Sequence, residues 1–442
     1  MPRRISRPDP RDVSTSKAIR FREFGIKKWL FDSYKTPSFF SIAFHCRDRG
    51  FLSFCPLMSV LRTFEETFDT GATVKIVAPG RINLIGEHID YLDGEVMPVA
   101  IDRSIEIAAS PAPAGECEIF PDGLGVGSPV RFSTDDLSRR TAPEESWLNY
   151  IVGVLHEYQS AGVQLPGFRA VISSTLPIGA GLSSSAALET GIALLVESFS
   201  EVEQDVVDRA LICQRAEHEY AGVPCGIMDQ LAVGAGREGQ VLRLDCRNLS
   251  FSYYPVPDGV SILAADTGVK HALGDGEYKA RREDCEEALR ILGEDSFRGM
   301  DLGVIERNRD ALGDRLYRRS LHAIGEMKRV ADFAEALSAG DEEQLGALMK
   351  AGHESLRDNY EVSCPELDAL VEAAYEFGPD RGLVGSRMTG GGFGGSTVSL
   401  VKTDSASNLK TFLEKRYREK FGRALNCFIT SAVDGAHAVP VD

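Results

Sequence analysis

The 442-residue chain contains no uninterrupted apolar run near 18 residues, so no stretch of it reads as a membrane-spanning helix. Its nine cysteines are odd in number and form no C-x-x-C pair. That argues against a disulfide framework and a zinc ribbon, and fits a reducing, cytoplasmic setting. The eight histidines show no H-E-x-x-H or other metal-ligand spacing. Positive charge is scarce: 49 Lys and Arg face 66 Asp and Glu, a net of −17, which argues against broad nucleic-acid binding. A Walker A loop is missing, and no internal repeat is visible. What remains is ordinary for a soluble globular protein, with 43% hydrophobic and 26% charged residues and length enough for two domains. An acidic chain can still bind a phosphorylated ligand, because phosphate recognition is local and needs only a few N–H groups and cations.

Residues 1–57 form a basic extension. They hold 12 Lys and Arg against 5 Asp and Glu, a balance of +7 that leaves −24 on the rest. The segment lacks helical or strand periodicity. It reads as a basic tail, as a targeting peptide, or as sequence upstream of a true start at Met58. Acidic Asp9, Asp12 and Glu23 and the lack of an apolar core before a cleavage site weigh against targeting.

Beyond Met58 helices and strands mix. Alternation and β-branching predict strands at 73–78, 95–100, 104–109, 168–173, 241–244, 260–265, 384–388 and 397–402. The 3.6 period predicts helices at 147–158, 184–198, 202–220, 276–292, 319–339, 341–356, 364–377 and 405–421. Strict βαβ alternation is absent, which favours an α+β layout over a doubly wound parallel sheet.

Three glycine-bearing stations punctuate this pattern. The first, 78–91 (APGRINLIGEHIDY), packs Arg81, Glu87, His88 and Asp90 into ten residues after a strand. Its carboxylates suit sugar-type hydroxyls, and a polar turn with a surface ion pair is the plainer reading. The second, 176–189 (LPIGAGLSSSAALE), joins a strand to a helix. Its glycines let backbone N–H groups approach an anion at a helix start, and its serines can cap the helix or ligate a divalent cation. It lacks the G-x-G-x-x-G spacing of a dinucleotide site, and a plain glycine turn with a serine cap is the alternative. The third, 388–396 (MTGGGFGGS), holds five glycines in six positions and brings backbone close to backbone or ligand. Between stations two and three lie Glu217, near a helix end, and Asp229, which starts a new apolar stretch after Gly226.

Together, in this order, the stations resemble the GHMP small-molecule kinase superfamily, and within it the galactokinase family. Residues 225–230 (CGIMDQ), 277–287 (EYKARREDCEE) and 355–368 (SLRDNYEVSCPELD) resemble galactokinase segments too, and the likeness runs in register from about 73 to 433. The resemblance implies a two-lobed α+β fold, with a ribosomal S5 domain-2-like lobe at 58–255 and an α/β lobe at 256–442. It implies ATP and Mg²⁺ as co-substrate and cofactor, with phosphoryl transfer to a galactose-like sugar. Asp229 is then the expected catalytic carboxylate and Arg81 its neighbour. Glu87, His88, Ile89, Asp90 and Tyr278 are expected around the sugar. Gly179, Ala180, Gly181, Leu182, Ser183, Ser184 and Ser185 are expected around the triphosphate, with Ser185 and Glu217 on Mg²⁺. Neither nucleic acid nor a membrane is an expected partner, and the resemblance is compatible with a monomer.

Two positions depart from the family's pattern. Leu92 stands where galactokinases usually carry Asn, and Glu95 where they favour an apolar residue. Both bear on which sugar is taken, since a polar pocket discriminates strongly on single hydroxyls. A related sugar-1-kinase acting on N-acetylgalactosamine, arabinose or another pyranose is the nearest rival. A non-catalytic galactose sensor is a further one, against which the intact Ser185-Ala186 pair speaks.

Overall fold

The alternation at 73–78 does form a strand, β1 (Val74–Asn83), which runs past the expected end and carries Arg81 to the edge of the first glycine-bearing turn. This computed structural model describes residues 60–441 apart from 124, 125, 178, 201 and 271–273, so the basic extension 1–57 lies outside the described residues. The described residues fall in one compact unit.

One mixed six-stranded sheet has β1 near its edge. The segment 95–100, expected as one strand, divides instead. β2 (Glu95–Val96) leaves for another sheet, and β3 (Pro98–Ala112) pairs antiparallel with β1. β4 (Glu116–Pro121) and β5 (Val130–Ser133) follow, and β6 (Gly167–Ser174) pairs with β3 and, in parallel, with β4. A small antiparallel sheet joins β2, β7 (Gln240–Asp245) and β8 (Phe251–Pro255). A four-stranded antiparallel sheet has the order β10 (Leu383–Thr389), β11 (Gly394–Lys402), β9 (Val260–Lys270) and β12 (Asn426–Thr430). The final strand β13 (His437–Pro440) returns to pair with β1, so the chain's end braces the strand that bears Arg81.

Period-2 burial assigns each sheet two faces. In the first sheet Ala108 and Val171 meet Val60 and Phe64 of α1 (Val60–Phe68). Ile105 and Ile107 face the opposite way, into the main core. That core includes α2 (Asn149–Ser160), α3 (Ser184–Phe199), α4 (Val206–Ala216) and α5 (Met228–Ala235). In the four-stranded sheet Leu263 and Ala265 meet the later helices α10 (Pro365–Phe377) and α11 (Thr403–Phe421), while Ile262 and Ala264 turn to the main core. The intervening helices are α6 (Gly274–Leu292), α7 (Leu302–Arg307), α8 (Arg309–Ala339) and α9 (Glu342–Ser355).

Helix 202–220 is the main misreading among the helices. It starts later, because Asp205 caps it by accepting from the Val207 and Asp208 amides, both at 2.9 Å. It also changes winding: after Ala216 the chain takes a π-helical turn, Glu217–Ala221, that closes on Gly222 at φ 77°. A second π-helical turn, Leu356–Tyr360, follows α9. Such turns re-aim side chains, and here they carry Glu217 and Tyr360. No helix among the described residues is long and apolar enough to cross a membrane.

Candidate active site

Arg81 and Asp229, 148 positions apart, form a two-pronged ion pair: Arg81 Nε donates to Asp229 Oδ1 and Nη2 to Oδ2, each at 2.8 Å. The third prong, Nη1, donates to the Gly181 carbonyl at 2.6 Å. Arg81 is buried, whereas the Asp229 side chain keeps 25% of its surface open. Asp229 is the second residue of α5 and not its cap. Ser183 completes the grip by donating through Oγ to Asp229 Oδ2 at 2.6 Å. It does so from φ 59°, a left-handed conformation that a non-glycine residue holds at a cost of about 1–2 kcal/mol.

The glycine–serine turn is thus locked to the ion pair. Gly179 and Gly181 take φ of 76° and 72°. The Ala180 carbonyl accepts from Ser396 Oγ at 2.7 Å, and the Leu182 carbonyl accepts from the Arg81 amide at 3.2 Å. The Leu182 side chain belongs to the core. Ser184 opens α3, and Ser185 follows it beside Glu217. The third glycine station packs on this turn: a Cβ on Gly390 would lie 3.2 Å from the Gly181 carbonyl oxygen, and one on Gly395 3.3 Å from that of Ala180. Its glycines therefore serve backbone-on-backbone packing behind the second station.

Glu217 lies against Asp229, and burial, followed by that neighbouring charge, pushes its carboxyl up to about 7. Gln230 donates to it at 2.7 Å and reaches on to Glu189 at 3.4 Å. Glu189 is fully buried, and desolvation first, then the charge of Glu217, raises its carboxyl well above the ordinary value. Cys225 Sγ donates to Glu217 at 3.3 Å. Glu189, Gln230 and Cys225 were not expected in the site. Gln230, next to Asp229 at a helix start, offered a signal, but Glu189 sits in an apolar helical run and offered none.

The first station divides by depth. Asp90 lies beside Asp229, and a Cβ on Gly226 would come within 1.8 Å of its Oδ2, so only glycine fits there. Ile89 is wholly in the core, which leaves its backbone as its polar face. Glu87 is buried in an ion network with Arg387, which also pairs with Glu326 at 3.0 Å, while Glu326 pairs with Arg329 at 2.6 Å. Two arginines hold Glu326 well below the usual carboxylate range, although burial opposes them. For Glu87 burial outweighs Arg387 and the carboxyl rises to about 7. His88, at φ 63°, bonds to Tyr91 and Gly391, and its ring lies 5.3 Å from that of Tyr278. All the residues expected around the sugar therefore lie in or around one region, except that Glu87 and Ile89 face protein.

The two departures lie elsewhere. Leu92 packs in the main core, and Glu95 pairs with Arg243 at 2.6 Å. Among the described residues no group of three or more His, Cys, Asp and Glu side chains could hold a metal, so a cation here would rest on few protein ligands. Ser185 and Glu217 are hard oxygen donors, and the strained charge on Glu217 is what a bound divalent cation would relieve.

Residues 62–111 match the galactokinase galactose-binding signature, 149–237 the GHMP kinase N-terminal domain and 333–419 the GHMP kinase C-terminal domain. The chain is 42% identical to the galactokinase of Bos taurus over 384 residues, which is 86% of this chain and 96% of that one. It is 41% identical to that of Homo sapiens over the same shares, and 39% identical to that of Chloroflexus aggregans over 87% of this chain and 98% of that one. The crystal structure of Lactococcus lactis galactokinase complexed with galactose superposes with a TM-score of 0.81 at 30% identity, covering 85% of this chain and 98% of that one. A mevalonate kinase structure, at TM-score 0.56 and 20% identity, shares the fold. The chain therefore belongs to the galactokinase family of the GHMP kinases.

Proposed function

We infer that this chain transfers the γ-phosphoryl group of ATP to the anomeric C1 hydroxyl of galactose, giving galactose 1-phosphate and ADP. The observation that carries this reading is the Arg81–Asp229 pair, clasped by Ser183 of the glycine–serine turn on one side and adjoined by Asp90 on the other. Phosphoryl transfer is mainly positioning and charge stabilisation, and one residue pair shared by both substrate sites supplies the positioning.

Asp229 accepts the hydrogen of the attacking hydroxyl. Its two oxygens are held by Arg81 and Ser183, and its partly open side chain keeps lone-pair capacity for that hydrogen. Arg81 holds that carboxylate in place and offsets charge on the transferring group. Asp90 and Tyr278, with Glu87, His88 and Ile89 behind them, hold the sugar. Residues 179–185 wrap the triphosphate: the Ala180, Gly181 and Leu182 carbonyls are taken by protein donors, which fixes the shape of this turn at the start of α3. Ser185 and Glu217 would hold Mg²⁺, which when bound neutralises phosphate charge. We place the boundary between the lobes at 255/256, and the chain in the cytoplasm as a monomer that binds sugar and ATP. The seven described cysteines, all free, support a reducing compartment.

A coupled ADP-release assay with galactose, its epimers, N-acetylgalactosamine and arabinose tests the reading. Galactose is expected to show the highest kcat/KM. A higher value for another sugar would transfer the assignment to that sugar. Absence of ADP release with every sugar would refute the kinase reading.

A further inference from the structure

Beside the proposed sugar site runs a row of four hydrogen-bonding side chains whose proton positions can be worked out one after another. His88 Nε2 lies 3.1 Å from the Gly391 carbonyl oxygen, and its Nδ1 lies 2.8 Å from the Tyr91 hydroxyl. The Tyr91 and Tyr360 hydroxyls are 2.9 Å apart, and the Cys285 thiol is 3.2 Å from that of Tyr360. A carbonyl oxygen only accepts, so Nε2 must carry the proton. Burial depresses the His88 ring to about 4, so the ring is neutral and Nδ1 is bare. Nδ1 then takes the Tyr91 proton. With that proton committed, the Tyr91 oxygen accepts from Tyr360, and the Tyr360 oxygen in turn accepts from Cys285. His88, Tyr360 and Cys285 are all at most 4% exposed and Tyr91 is partly buried, so most of the row is shielded from water.

We propose that this directed row, Cys285 to Tyr360 to Tyr91 to His88, anchored where His88 Nε2–H donates to the Gly391 carbonyl, holds the His88 ring in place at the edge of the sugar site and makes Tyr91 and Tyr360 positioning residues for sugar binding. The row draws on separate parts of the chain. Tyr91 ends the first glycine station, Cys285 lies in α6, and Tyr360 ends the π-helical turn after α9. The tautomer of His88 is thus set by the Gly391 carbonyl, and the row ties the ring to a helix and a turn far away in sequence. It also holds His88 in its left-handed backbone conformation at φ 63°, which no glycine relieves. The kinetic half of the inference rests on the sugar-kinase reading; the tautomer half does not.

The test is ¹⁵N NMR of the full, ligand-free chain with labelled histidine, with the His88 signal assigned by its loss in His88→Gln. A protonated Nε2 with a bare Nδ1 is expected; an Nδ1–H ring or a doubly protonated ring would overturn the proposal. In Tyr91→Phe the Nε2–H tautomer is expected to persist through the Gly391 carbonyl, while the KM for galactose is expected to rise on the order of 10-fold, with the KM for ATP unchanged. Tyr360→Phe, which deletes only the second link, is expected to give a smaller rise of the same kind, and serves if Tyr91→Phe does not fold. Equal rises in both KM values, or an unaltered galactose KM, would overturn the positioning role. Should no sugar be phosphorylated, the kinase reading fails while the NMR result still judges the tautomer.

Discussion

The Asp90 carboxyl is pushed up to about 6, first by burial and then by the charge of Asp229. The folded protein therefore binds this proton more tightly than the unfolded chain. The stability it contributes is full below the ordinary value of 3.8 and is lost as pH rises through about 6. Sugar hydroxyls donate best to the ionised form, so the binding role runs the opposite way. The KM for galactose is expected to fall as pH is raised through about 6, and Asp90→Asn is expected to raise the KM and to remove this pH dependence. Initial rates from about pH 5 to about pH 8 check it; an unchanged profile in Asp90→Asn would contradict the role. Asp90 and Arg81 were legible in the sequence because they stand in a polar cluster beside glycines, and Asp229 through the likeness of 225–230 to a galactokinase segment. Arg387, Glu326 and Tyr360 were not. Each is a single polar residue in a strand or helical turn, where the ordinary expectation is a solvated face, and their burial depends on partners dozens to hundreds of positions away.

The elements with sustained periodicity were read well. The expected helices at 276–292 and 405–421 differ by two residues at their starts from Gly274–Leu292 and Thr403–Phe421. Short elements escaped: β5 has 4 residues and α5 has 8, too few to establish a period. The π-helical turn at Glu217–Ala221 escaped for another reason, since its residues keep the apolar spacing of an ordinary helix and change only the winding. The third glycine station was legible as close backbone packing, but what it packs against was not. Gly390 holds φ 83° with the Gly181 carbonyl where its Cβ would point. Gly390→Ala is expected to cost about 1–2 kcal/mol in stability. By pressing on the turn it should also raise the KM for ATP more than that for galactose. Denaturant unfolding with initial-rate kinetics checks both; a rise confined to the galactose KM would contradict the packing argument.

At the scale of the whole molecule the two lobes share one core and one buried charge network. Arg387, on β10, pairs with Glu87 after β1 and with Glu326 on α8, and all three side chains are at most 1% exposed. Removing the cation strands Glu87 in buried surroundings and leaves Glu326 with Arg329 alone. Arg387→Met is expected to cost about 3–5 kcal/mol, read by chemical denaturation, and a loss under about 0.5 kcal/mol would contradict a structural role for the network. The α+β class and the two-lobed plan were legible in the order of the stations. The return of β13 to β1 was not, because a four-residue strand with every residue exposed carries no hydrophobic pattern. The central claim is that the Asp229 carboxylate, held by Arg81 and Ser183, serves the attacking hydroxyl. It is tested most directly by the rate of galactose 1-phosphate formation in Asp229→Ala at saturating ATP and galactose. A loss of at least about 100-fold in a folded variant that still binds galactose is predicted, and a rate near that of the unmodified chain would contradict the account.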